Sequence, residues 1–171
     1  PLKEEKIMRP SILYLCSILF PMFPDTRCFG IKRVLLRFAG AKIGKNVRIC
    51  SSVRIKGNCK LVIGDNTWIG HNCLIVCSAN IMIGSDVDIA PMCYIGTGTH
   101  EITPCSDKIA GNGYSLPIRI SNGCWLCVRS TILPGTTIDT KCIVAAGSVV
   151  KGSYKSLSLI GGIPAKAIRT L

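Results

Sequence analysis

Two histidines, His71 and His100, are the side chains in these 171 residues whose ordinary pKa lies near neutrality. A neutral imidazole takes a proton from a hydroxyl as that oxygen attacks, so each is a candidate general base. His71 sits in Ile-Gly-His-Asn and reads as a plain turn residue. His100 stands where a regular pattern stops and an irregular stretch, 100–117, begins. Function concentrates on loops carried by a rigid scaffold, so His100 is the preferred catalytic residue. Two histidines cannot form a three-histidine metal centre within one chain. Eleven cysteines are present. Cys73 with Cys77, and Cys124 with Cys127, resemble fragments of a metal site. The pattern described next explains several of these thiols as core residues instead, so no metal and a reduced, cytoplasmic compartment are expected.

The pattern that must position His100 has a period of six. Aliphatic residues recur at 43, 49 and 55, at 63, 69 and 75, at 83, 89 and 95, and then at 120, 126, 132, 138, 144 and 150. Six is a multiple of the strand period but not of the helical one, so these side chains share a face only in extended chain. One six-residue segment cannot bury a core. Three of them make a triangular coil that stacks on the next coil, giving three parallel sheets with inward aliphatic ladders. The fold class predicted is an all-β solenoid, a parallel β-helix of hexapeptide repeats. Small residues two positions earlier, such as Thr67, Cys73, Cys93, Cys124, Ser130, Thr136, Cys142 and Ser148, suit the cramped corners. Gly44, Gly64, Gly70, Gly84 and Gly96, with Asn46, Asn66 and Asn72, are expected to supply the positive φ of sharp turns. The extra residues all fall after the third face, so one edge is decorated, with 100–117 its longest excursion.

Three segments are expected: an apolar and helical cap over 1–40, the β-helix over 41–152, and a basic tail over 153–171. Residues 11–23 are apolar but too short to span a bilayer, and Pro21 interrupts them. They either cap the end of the β-helix or rest on a membrane surface. The cap is preferred, because an open solenoid end would be sticky. Residues 29–39 have helical spacing, with Ile31, Val34, Leu35 and Phe38 taken as the packed face and Lys32, Arg33 and Arg37 as the solvated one. Trp68 points outward and suggests a contact between subunits, for which a symmetric trimer suits a triangular prism. The net charge of +12 comes without nucleic-acid motifs or interleaved aromatics. It favours a polyphosphate ligand or an acidic surface over nucleic acid.

Residues 83–102 (IGSDVDIAPMCYIGTGTHEI), 118–138 (IRISNGCWLCVRSTILPGTTI), 143–152 (IVAAGSVVKG) and 161–169 (GGIPAKAIR) carry a resemblance. The chain resembles the hexapeptide-repeat acyltransferases, left-handed parallel β-helix enzymes that move acetyl from acetyl-CoA. Within them it is most similar to the maltose, galactoside and nodulation-factor O-acetyltransferases and to those acting on polysaccharides. The left hand comes from the resemblance alone, since the general crossover rule predicts the opposite.

The resemblance implies a homotrimer with His100 as base and CoA in the groove between subunits. It implies CoA contacts at Cys127, Val128 and Ala146, with a backbone N–H near Cys127 or Val128 facing the oxyanion. Lys151, Lys166 and Arg169 match or adjoin its phosphate-binding positions. A sugar or glycan hydroxyl is the expected acceptor, held by Asn72, Asp88 and Trp125, with Asp86 as a further candidate. Glu101 and a backbone carbonyl are the alternatives for orienting His100. An amino-sugar N-acetyltransferase and a non-catalytic β-helix scaffold are the competing functions.

Overall fold

The computed structural model describes residues 7–105 and 107–171. Residues 1–6 of the expected cap and residue 106 of the expected loop lie outside the described residues. All fifteen periodic aliphatics are buried, none more than 7% exposed. They line a parallel β-solenoid of three sheets. The first sheet stacks β1 (Lys42–Ile43), β4 (Leu61–Ile63), β7 (Ile81–Ile83), β12 (Ile118–Ile120), β15 (Thr137–Ile138) and β18 (Ser153–Tyr154). The second stacks β2 (Arg48–Ile49), β5 (Trp68–Ile69), β8 (Asp88–Ile89), β13 (Trp125–Leu126), β16 (Ile143–Val144) and β19 (Ser158–Gly162). It ends in β20 (Ala165–Thr170), antiparallel to β19. The third stacks β3 (Arg54–Gly57), β6 (Leu74–Cys77), β9 (Tyr94–Gly96), β14 (Thr131–Ile132) and β17 (Val149–Val150). The winding thus continues past residue 152 through β18 and β19.

The corners divide two tasks between two residue types. Positive φ falls on Asn46, Asn66 and Asp86 in one column and on Asn72, Met92, Arg129 and Gly147 in another. Gly44, Gly64, Gly70, Gly84 and Gly96, expected to share that task, lie outside the positive-φ set. Gly64 is needed for space instead: a Cβ there would come within 2.5 Å of the Gly84 carbonyl carbon in the next coil. The small inward residues close the corners by hydrogen bonds. Thr67 Oγ1 donates to the Gly84 carbonyl at 2.8 Å and accepts from the Val87 N–H at 3.2 Å. Among the described residues every buried side-chain nitrogen and oxygen has a partner.

Ladder bonds between coils run both ways: the Gly44 N–H donates forward to the Ile63 carbonyl, and the Asn66 N–H donates back to the Lys45 carbonyl. The first coil has no coil before it, so carbonyls on its open edge need other donors, and a buried orphan carbonyl is costly. Helix α2 (Phe29–Phe38) supplies the donors. Lys32 Nζ bonds the Ile49 and Asp25 carbonyls at 3.0 and 2.8 Å. Arg33 bonds Val47, and Arg37 bonds both Ile43 and Gly44. This overturns the expected orientation of the helix. Lys32 is fully buried, whereas Ile31, Val34 and Phe38 are 48%, 60% and 61% exposed. Helix α1 (Pro10–Leu19) packs beside α2 and buries Leu13 and Cys16. Trp68 does face outward, but the chain itself covers part of it: Phe29 meets it edge-on at 6.1 Å and the Arg48 guanidinium lies 5.1 Å from its ring centre.

Candidate active site

The decorated edge, between the third and first sheets, carries an antiparallel hairpin of β10 (Gly98–Ile102) and β11 (Ala110–Ser115). His100 sits on β10 opposite Gly113, exposed to solvent. Its Nδ1 lies 3.0 Å from the Gly111 carbonyl oxygen. A carbonyl only accepts, so Nδ1 carries the proton and Nε2 keeps a free lone pair. The orienting group is thus the Gly111 carbonyl, not Glu101. The sequence signal for it was the glycine-rich Gly111-Asn112-Gly113 run facing Thr99-His100.

The other predicted site residues lie elsewhere on the prism. Asp88 and Trp125 are register neighbours on the outer face of the second sheet, the side opposite the hairpin edge. Asn72, Cys127, Val128 and Ala146 fall on the edge joining the second and third sheets. Val128, Ala146 and Gly147 are exposed there, and nothing lies within 4 Å of where a Gly147 side chain would begin. Asp86 sits in the corner between the first and second sheets, accepting from Asn66 at 3.0 Å. The Cys127 N–H donates to the Val144 carbonyl at 2.9 Å and so cannot serve an oxyanion. Among the described residues no carbonyl takes the Val128 N–H, which narrows that expectation to Val128. Lys151 follows β17, while Lys166 and Arg169 lie on β20, all three exposed. The Tyr154 hydroxyl joins two of these segments: it donates to the Ala165 carbonyl at 2.9 Å, and the Lys151 carbonyl lies 3.2 Å from the same oxygen. One protomer therefore does not bring His100 to the stacked small residues or to Asp88 and Trp125.

His71 is more than the plain turn residue expected. Its Nδ1 is 2.6 Å from Asp25 Oδ2, and Asp25 also accepts from the Ser52 N–H at 3.0 Å. Partial burial pushes the Asp25 carboxyl up, but the bonds from His71 and Ser52 outweigh it and hold the pKa below the usual value. Ligating atoms of Asp25, Cys50 and His71 lie within 4.8 Å of one another. The Lys32 ammonium interacts with both Cys50 and Asp25, so this cluster already contains its own cation. Nothing in Pro24-Asp25-Thr26 signals a partner 46 residues away.

The cysteines of the described residues are free thiols. Burial pushes Cys50, Cys77 and Cys124 up to about 11, which leaves them protonated and poorly nucleophilic near neutral pH.

Comparisons with known proteins add the decisive observation. The chain is 38% identical over 135 residues to the Escherichia coli K12 protein named colanic acid biosynthesis acetyltransferase WcaF, covering 79% of this chain and 72% of that one. The chain belongs to the hexapeptide-repeat acetyltransferases. It is 27% identical to the galactoside O-acetyltransferase of the same organism, over 99% of this chain and 81% of that one. A Vibrio cholerae hexapeptide-repeat acetyltransferase solved with acetyl-coenzyme A superposes with a TM-score of 0.72 at 24% identity, covering 95% and 86% of the two chains, which bears on the fold. No family model matches the sequence. As a member the chain is an acyltransferase of the acetyl-CoA-dependent class.

Proposed function

We propose that the protein transfers acetyl from acetyl-CoA to a hydroxyl of a sugar or glycan, in polysaccharide biosynthesis, as a homotrimer with His100 as general base. The observation that carries this reading is the His100 imidazole pinned through Nδ1 to the Gly111 carbonyl, with Nε2 open to solvent. Nε2 takes the hydroxyl proton as the oxygen attacks the thioester carbonyl. The tetrahedral oxyanion accepts from the Val128 N–H. Collapse breaks the carbon–sulfur bond, and the departing thiolate recovers the proton from the imidazolium. Direct transfer needs no acyl-enzyme.

The same layout supports an oligomer: His100 occupies one edge and the exposed small residues another, so on this reading a neighbouring copy brings a base to each groove. Val128 and Ala146 flank the pantetheine arm, and Lys151, Lys166 and Arg169 meet the phosphates. Asn72, Asp88 and Trp125 hold the acceptor beside the neighbour's His100. The glycan class of acceptor is supported by relatives named for colanic acid biosynthesis and for galactosides. The test is release of CoA thiol from acetyl-CoA across a panel of sugars and glycans. Acceptor-dependent release that disappears in His100→Ala supports the reading. Release that is independent of any hydroxylated acceptor, or unchanged in His100→Ala, overturns it.

A further inference from the structure

Helix α2 is inverted. Its cations are spent on the carbonyls of the first coil, so its apolar row Ile31, Val34 and Phe38 faces solvent. Helix α1 behaves alike, with Tyr14, Leu15 and Ile18 49–70% exposed. The two helices meet where the Arg9 guanidinium at the head of α1 lies 5.7 Å from the Phe38 ring centre at the tail of α2. Exposed apolar side chains gathered at one end of a molecule mark an interaction site. The charge around it identifies the partner. Residues 1–60 hold 13 lysines and arginines against three carboxylates, whereas the remaining 111 residues hold eight against six. Arg9, Arg27, Lys42, Arg48, Arg54 and Lys56 at this end are exposed. Beside α1 a groove of about 850 Å³ is lined by Leu13, Tyr14 and Phe23 on one side and by Arg54 and Lys56 on the other.

We infer that the α1–α2 face docks on the surface of an anionic lipid bilayer. Aliphatic and aromatic side chains enter the headgroup boundary while the surrounding cations meet lipid phosphates. No helix among the described residues is long and apolar enough to cross a membrane, so the contact is peripheral. A second copy of the chain fits the face less well, because two such faces would bring two cationic surrounds together. Docking places the end of the solenoid, not the hairpin, at the lipid. The inference does not depend on the acetyl transfer proposed above.

The test is co-sedimentation of the full chain with vesicles of phosphatidylcholine alone or with about 30% phosphatidylglycerol. A variant carrying Ile18→Ser, Val34→Ser and Phe38→Ser replaces only exposed side chains, and circular dichroism checks that it folds. The expected result is binding to anionic vesicles that falls by about tenfold or more in the variant, in neutral vesicles and in high salt. Failure of the wild-type chain to bind anionic vesicles, or equal binding by the folded variant, overturns the inference. So does sedimentation velocity without vesicles showing that the variant dissociates an assembly the wild type forms, which would assign the face to a second copy.

Discussion

The two histidines occupy contrasting edges of one prism. His100 stands on a hairpin that projects from the coils and is oriented by a neutral carbonyl, 3.0 Å away. His71 sits in a smooth corner and is locked to a carboxylate at 2.6 Å, beside the buried Lys32 that closes the open end of the stack. A base that must meet a substrate and return its proton is served by a neutral partner and open space. A ring paired to Asp25, which is itself bonded to Ser52, is built into the packing of the N-terminal cap. On the function proposed above, the difference gives chemistry to the edge of His100 and structure to that of His71.

The largest effect that would break this contrast is on turnover. His100→Ala is expected to lower kcat by on the order of 10²–10⁴, the usual contribution of a general base. His71→Ala is expected to leave kcat within about threefold while lowering the unfolding midpoint. Steady-state kinetics on both variants checks the pair, and a reversed order would exchange their roles.

The next effect lies at the cap. Lys32→Met leaves the Ile49 carbonyl without its donor, whereas the Asp25 carbonyl keeps the Ser51 N–H, so a loss of about 1–3 kcal/mol is expected in urea unfolding. Val34→Ser, on the exposed side of the same helix, is expected to stay within about 0.5 kcal/mol. Equal losses at the two positions would contradict the inverted helix.

The smallest effect is on acid stability. The Asp25 pKa is depressed in the folded chain, so its contribution is complete above the unfolded-state carboxylate pKa and is lost as pH falls through the folded one. Melting temperatures measured from pH 6 down to pH 3 are expected to fall more steeply for wild type than for Asp25→Asn. Parallel curves would remove the Asp25–His71 pair from the stability of the cap.

The coils were legible in the sequence because period six permits one backbone solution, and each of the fifteen aliphatics is buried as the spacing requires. Helix α2 was misread because amphipathic spacing states which residues share a face, not which face turns inward. That choice was made by the carbonyls on the open edge of the first coil, a consequence of stacking that no local pattern reveals. Similarly, His100 stood out by ending the repeat, whereas the Asp25–His71 contact joins segments 46 residues apart and left no trace in either. The corner glycines were found for the wrong reason: Gly64 answers to the next coil's backbone rather than to φ.

The account rests on an active site divided between copies, and mixing two inactive variants tests it most directly. His100→Ala lacks the base, and Ala146→Trp fills the exposed groove. Each alone is expected to be nearly inactive. Co-assembled in equal amounts as a cyclic oligomer, they should recover roughly a quarter of wild-type activity, since one interface in four pairs an intact base with an intact groove. Activity that stays at the level of the separate variants after verified co-assembly would place both halves of the site in one chain and contradict the account.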